Sequence, residues 1–186
     1  GIGELTLIDM DDICVTNINR QLPAMSGTIG KLKTKVMSER VKLINPECTI
    51  NIIDDFISPE NQSDYLNRGY DYVIDAIDNV KTKASLIAYC KRNKINVITI
   101  GGAGGQTDPT QIQIADLSKT IQDPLLAKVR SDLRKDYNFS QNPKRKFSID
   151  AVFSTQPLIF PQMTEGCAIS ATMNCANGFG AATMIT

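Results

Sequence analysis

The sequence contains no histidine and no tryptophan among its 186 residues. The first absence excludes Ser-His-Asp triads, histidine general bases and histidine metal ligands from this chain. The second, with aromatics at only 6%, argues against base stacking as the main route to nucleic acid. Five cysteines are present, Cys14, Cys48, Cys90, Cys167 and Cys175, and none stands in a Cys-x-x-Cys pair. That spacing argues against a structural zinc and against a disulfide framework, and suits reduced thiols in a cytosolic protein. No run reaches the ~18 apolar residues of a membrane span. Residues 1–9 lack the basic and apolar regions of a signal peptide.

What is present fits an ordinary globular domain. A length of 186 residues with 42% hydrophobic content predicts one domain able to bury a core without cross-links. The net charge is zero, yet the charges are segregated: acids outnumber bases over residues 1–80. Residues 126–148 instead hold Lys128, Arg130, Arg134, Lys135, Lys144, Arg145 and Lys146 against Asp132 and Asp136. Such a segment is either a surface for a polyanion or a solvated helix face with its loop.

Short apolar runs alternate with helical patterns. Residues 5–9, 49–54, 72–76, 96–100, 111–115 and 151–154 read as strands. Residues 33–44 read as a helix with Leu32, Val36 and Leu43 on one face, ended by Asn45-Pro46. Residues 59–68, with Pro59 in the first turn and Gly69 at the end, residues 80–93, with Val80, Ala84, Ile87 and Ala88 in a stripe, and residues 124–136 read as further helices. Residues 140–146 read as a polar basic loop. The alternation predicts an α/β fold with a mostly parallel, Rossmann-like sheet and helices on both faces. Ligands of such sheets bind beyond the carboxyl ends of the strands, which directs attention to residues 9–12, 76–79 and 101–105.

Asp9 ends the first strand, where an acid can accept hydrogen bonds from ribose hydroxyls. A glycine-rich turn should stand about 20 residues before it, and only eight residues precede Asp9. Asn17, Asn19, Arg20 and Gln21 follow in a polar, non-helical stretch, and Arg20 offers a planar fork of donors suited to phosphate. Lys33 opens a helix behind Gly30 and reads either as a phosphate partner or as one surface lysine among Lys31, Lys33 and Lys35. Asp78 reads as a Mg²⁺ ligand or, with Asn79, as a helix cap, and the two roles can coexist. Four glycines in residues 101–105 predict a loop whose backbone faces a ligand.

These residues together resemble the ThiF/MoeB superfamily of adenylating enzymes, related to ubiquitin-activating enzyme. The motifs are Leu7-Ile8-Asp9-Met10-Asp11, Asn17-Ile18-Asn19-Arg20-Gln21, Gly30-Lys31-Leu32-Lys33 and Asp75-Ala76-Ile77-Asp78-Asn79. Within the superfamily, residues 101–106, 108–112, 119–125 and 152–155 are similar to the tRNA threonylcarbamoyladenosine dehydratases. The resemblance implies an enzyme that uses ATP to adenylate the threonyl carboxylate of a modified tRNA adenosine, then cyclises it with loss of water. It implies Asp9 at the ribose, Arg20 at the β- and γ-phosphates, Lys33 at the α-phosphate, Mg²⁺ on Asp78, and Asp11, Asn17, Gln21 and Asn79 around the nucleotide. Arg20, Lys33 and Asp78 would be the catalytic residues. A monovalent cation, a homodimer, a cysteine desulfurase system as partner and a cytoplasmic location belong to the same implication.

The family's G-x-G-x-x-G strand, turn and helix are not in this sequence, and the chain stops within an apolar segment, residues 178–186. The expectation is therefore one adenylating domain over 1–186, truncated at its amino-terminal strand and glycine loop. Within it, residues 126–148 form a basic helix and loop, and residues 155–186 a tail whose continuation as an apolar helix offers membrane association. The missing Cys-x-x-Cys pairs argue against the alternative, activation of a ubiquitin-like sulfur carrier. A second alternative is a non-catalytic scaffold of the desulfurase system. A nicotinamide-dependent oxidoreductase leaves Arg20, Lys33 and the glycine-rich segment unexplained.

Overall fold

The structure, a computed structural model, describes residues 1–159. Most of the expected tail, with Cys167, Cys175 and the apolar segment 178–186, lies outside the described residues. The chain folds as two compact units, one from Gly1 to Ser58 and one from Pro59 onward.

The first unit is built on two parallel strands, β1 (Glu4–Ile8) and β2 (Thr49–Ile53), with Leu7 opposite Ile52. Helix α1 (Lys33–Ile44) starts and ends where its sequence predicts and packs on both strands. β1 is half-buried from Leu5 to Ile8, with Glu4 exposed. The helix face differs from expectation. Thr34 and Val36 are buried and Leu32 is half-buried, but Leu43 is 87% exposed. Burial is confined to the first half of α1, and Ile44 in its last turn is exposed as well. Ile13, Ala24 and Val36 form the local core.

The second unit contains α2 (Gln62–Leu66), β3 (Val73–Asp75), α3 (Val80–Arg92), β4 (Val97–Ile100), β5 (Ile112–Asp116), α4 (Pro124–Asp136) and β6 (Asp150–Ser154). Its sheet runs β3-β4-β6-β5, parallel throughout except for the antiparallel edge strand β5. Helix α2 begins three residues later and ends two earlier than predicted: residues 59–61 form a turn, and Asn67 takes the C-cap before Gly69 is reached. Helices α3 and α4 pack against each other and bury Ala84, Leu86, Ile87, Ala88, Leu126, Val129 and Leu133. On the sheet face that alternation assigns to this core, Val97, Thr99, Ala151 and Phe153 are buried. The opposite register positions carry Ile74, Ile100, Ile112 and Ile114, all exposed. No helix among the described residues is long and apolar enough to cross a membrane.

Candidate functional site

The loop after β1 is shaped by a short backbone ladder with the residues that precede α1. Ile13 donates to Lys31 O, Gly30 to Ile13 O, and Lys33 to Asp11 O at 2.9, 2.9 and 3.0 Å. Gly30 sits at φ +79°, a conformation that favours glycine, so the return path needs it. The ladder brings Lys33 beside Asp11 across 22 residues, and their ion pair measures 2.6 Å. Asp9 accepts the Asp11 amide on Oδ1 at 2.7 Å and its side chain stays partly exposed.

Asn17 and Arg20 lie in and after a 3-10 turn, Val15–Asn17. Asn17 is buried, and its Oδ1 accepts from the Cys14 amide at 3.0 Å while its carbonyl accepts from the Arg20 and Gln21 amides. Its first role is thus to hold the turn that carries Arg20. Arg20 is exposed, and among the described residues only its Nη1 is engaged, donating to Thr16 O at 2.6 Å and Asn19 Oδ1 at 3.1 Å. Gln21 is half-buried.

In the second unit, Asp78 and Asn79 stand between β3 and α3. Asn79 is the helix cap, its Oδ1 accepting from Thr82 N at 3.1 Å. Asp78 is exposed, and its carboxylate has no hydrogen-bond or ion-pair partner among the described residues. A free hard-oxygen donor of this kind fits Mg²⁺, which takes one or two carboxylates and completes its shell with water and phosphate oxygens. Among the described residues no three His, Cys, Asp or Glu side chains cluster into a protein-only metal cage.

Beneath this turn lies a buried pair that sequence reading did not single out. Asp75 and Lys83 are fully buried, 3.0 Å apart, and Thr99 Oγ1 donates to the same Asp75 oxygen at 2.7 Å. Burial pulls the Lys83 ammonium below its ordinary pKa, against the upward pull of the Asp75 charge and hydrogen bond.

The glycine-rich segment has a structural reason at two positions. A Cβ on Gly101 would stand 1.9 Å from Asp123 Oδ2, and Gly105 sits at φ +71°. Asp123 caps α4 by accepting from Leu126 N at 2.8 Å and also accepts from Gly102 N at 2.9 Å. Its burial raises its carboxyl pKa, outweighing those bonds and the nearby cations Lys83 and Arg130. An open groove of about 450 Å³ beside it is lined by Gln122, Asp123, Ala127, Arg130 and Leu158, among others. None of the sequence-predicted site residues lines that groove.

The basic segment does not present one charged face. Arg130 donates to Thr120 Oγ1, Arg134 lies 5.2 Å over the Phe147 ring, and Lys128 pairs with Asp132 at 3.2 Å. Lys135, Lys144, Arg145 and Lys146 remain exposed. The predicted residues thus fall into three groups: Asp9, Asp11 and Lys33 joined by the loop ladder, Asn17, Arg20 and Gln21 on one turn, and Asp78 and Asn79 at the start of α3. Asp75 opens the motif that runs on to Asn79, so a signal for it was present. Lys83, eight residues on, reads from sequence as an ordinary helix lysine.

The ThiF family model matches residues 1–182. The chain is 97% identical over all 186 residues to the tRNA threonylcarbamoyladenosine dehydratase of Haemophilus influenzae, covering 71% of that relative. It is 57% identical over 194 aligned positions to the enzyme of the same name from Escherichia coli, covering 72% of it. The crystal structure of the Escherichia coli dehydratase in complex with ATP superposes with a TM-score of 0.83 at 57% identity. That match covers 86% of this chain and 65% of the crystallised one.

Proposed function

The chain belongs to the ThiF family, and from that premise we propose that it is the adenylating domain of an ATP-dependent tRNA threonylcarbamoyladenosine dehydratase. The observation that carries the reading is the loop ladder that sets Lys33 beside Asp11 just past the carboxyl end of β1, the rim at which ligands of parallel sheets bind. That a 57% identical relative has been crystallised with ATP and with AMP supports a nucleotide as the ligand.

On this reading Asp9 uses Oδ2, the oxygen not engaged by the Asp11 amide, to accept from the ribose hydroxyls. Lys33 exchanges its ion pair with Asp11 for the α-phosphate. Arg20 turns its unengaged Nε and Nη2 donors to the β- and γ-phosphates, and Asn17 and Gln21 hold the turn that aims it. Asp78 would hold Mg²⁺, and the bound ion would supply neutralisation of phosphate charge. Asn79 borders the nucleotide from the start of α3. A carboxylate oxygen of the threonyl group attacks the α-phosphorus and the bond to the β-phosphate oxygen breaks, releasing pyrophosphate. Intramolecular attack on the activated carbonyl then breaks its bond to AMP, so the ring closes with net loss of water. The protein's part is alignment and neutralisation of developing charge, which needs neither a histidine nor a protein nucleophile. The exposed bases of the loop, Lys144, Arg145 and Lys146, contact the tRNA backbone. A single adenylating domain spanning the chain, a homodimer whose neighbouring subunit completes the nucleotide site, a monovalent cation, a desulfurase partner and a cytoplasmic location complete the reading.

Pyrophosphate exchange into ATP by the full-length protein tests it. Exchange should depend on threonylcarbamoyl-modified tRNA and not on a di-glycine-tailed carrier protein. Exchange with the carrier alone would overturn it.

A further inference from the structure

The Asp75–Lys83 pair has no role in the chemistry above, yet it is the most deeply buried charge among the described residues of the second unit. Both side chains have zero exposure. Removing two charges from water is costly, and apolar residues of similar size usually hold a core at least as well. What the pair contacts is therefore informative. Lys83 Nζ donates to Ile77 O at 2.7 Å and lies 3.0 Å from Asp75 Oδ2, with Asp75 O at 3.4 Å. Asp75 Oδ1 accepts from Ile77 N at 3.0 Å. Both backbone groups of Ile77 are thus held by the pair, the N–H by the acid and the carbonyl by the base. The next residue but one, Asn79, is fixed to α3 as its cap. Asp78 stands between these anchors, and its carboxylate is the polar side chain of the turn left without a hydrogen-bond or ion-pair partner among the described residues.

Lys83 itself cannot serve a ligand. An ammonium has three donors, and three oxygens already surround this one. Thr99 completes the lock from β4 by donating to Asp75 Oδ2. Strand end, turn, helix and neighbouring strand are thereby tied at one buried point directly under the exposed acid.

We infer that Lys83 is a positioning residue: with Asp75 it clamps the Ile77 peptide groups and so fixes Asp78 for a magnesium–nucleotide complex. The inference rests on the assignment of Asp78 to Mg²⁺ made above. It is tested by calorimetric titration of the full-length protein with ATP in Mg²⁺ and, separately, in EDTA, for Lys83→Met and Asp78→Asn. Lys83→Met should lose about tenfold or more of the affinity gained from Mg²⁺, as expected for loss of an orienting partner behind a ligand. Its affinity in EDTA should stay within about twofold, because the clamp touches no nucleotide. Should the single variant fail to fold with Asp75 left unpaired, Asp75→Asn combined with Lys83→Met removes both charges and gives the same readout. Undiminished Mg²⁺ enhancement in a folded variant, or equal weakening with and without Mg²⁺, would overturn the inference. If Asp78→Asn leaves the enhancement intact, the metal assignment itself is wrong, whatever Lys83→Met does.

Discussion

Arg20 is half committed. A guanidinium has five N–H donors in a rigid fork, and here Nη1 is fixed to Thr16 O and Asn19 Oδ1 while Nε and Nη2 have no partner among the described residues. The fixed edge lowers the entropy of aiming the free one, which is the arrangement a phosphate clamp requires. Arg20→Ala and Asp78→Ala in the full-length protein should each reduce cyclisation of modified tRNA by on the order of 10²-fold or more, read from single-turnover product formation. Gly101 makes a different demand at the same scale. A methyl group there meets a carboxylate that is itself anchored by two backbone amides, so it cannot swing away freely. Gly101→Ala should destabilise the fold by about 1–3 kcal/mol, measured as a lower urea midpoint. The glycine density of residues 101–105 is visible in the sequence, but the reason at Gly101 is the proximity of a residue 22 positions away, and no local pattern announces it.

Among the elements, the helices were the most legible and the pairings the least. Helices α1 and α4 occupy the residues their apolar spacing and end signals predict, and α3 ends one residue early at its Asn93 cap. Strand ends shifted by no more than one residue, since alternation in a short apolar run does not mark where pairing stops. The antiparallel direction of β5 was not read from the sequence: its Ile112-Gln113-Ile114 alternation fits an antiparallel edge strand, but so short a run does not separate that from a half-buried parallel one. One element-level link has a thermodynamic signature. Asp116, at the end of β5, accepts from Ser118 N, Phe147 N and Ser148 N and so pins the foot of the basic loop. Burial opposes its ionisation, but the neighbouring Ser118 side chain and these amide bonds together outweigh burial and hold its carboxyl below the ordinary value. A depressed carboxyl pKa stabilises the fold above the unfolded-state value, and that contribution is lost as pH falls through the folded-state value. Asp116→Ala should therefore lower stability at pH 7 by about 2 kcal/mol. The gap to the unmodified protein should narrow on acidification, as followed by urea unfolding at neutral and acid pH.

For the molecule as a whole, a net charge of zero conceals where the charge sits. The sequence shows a basic cluster over residues 126–148, and the structure divides it. Arg130 and Arg134 are engaged with Thr120 and Phe147, leaving the loop lysines and Arg145 to the solvent. Reversing Lys144, Arg145 and Lys146 to glutamate should weaken tRNA binding and reduce its salt dependence, by roughly 0.7–0.9 in log–log slope for each phosphate no longer neutralised. An unchanged slope in a binding titration would return the loop to ordinary surface. Sequence reading could find the cluster but not its division, because which arginines turn inward depends on the aromatic and hydroxyl groups that the packed α4 and its following loop bring near them.

The isoleucines on the outer register positions of the four-stranded sheet leave apolar side chains exposed among the described residues. Contiguous apolar surface draws molecules together as they are concentrated or warmed. Light scattering of the isolated chain should rise with concentration well before its helices melt, so that colloidal behaviour rather than loss of the fold limits its handling.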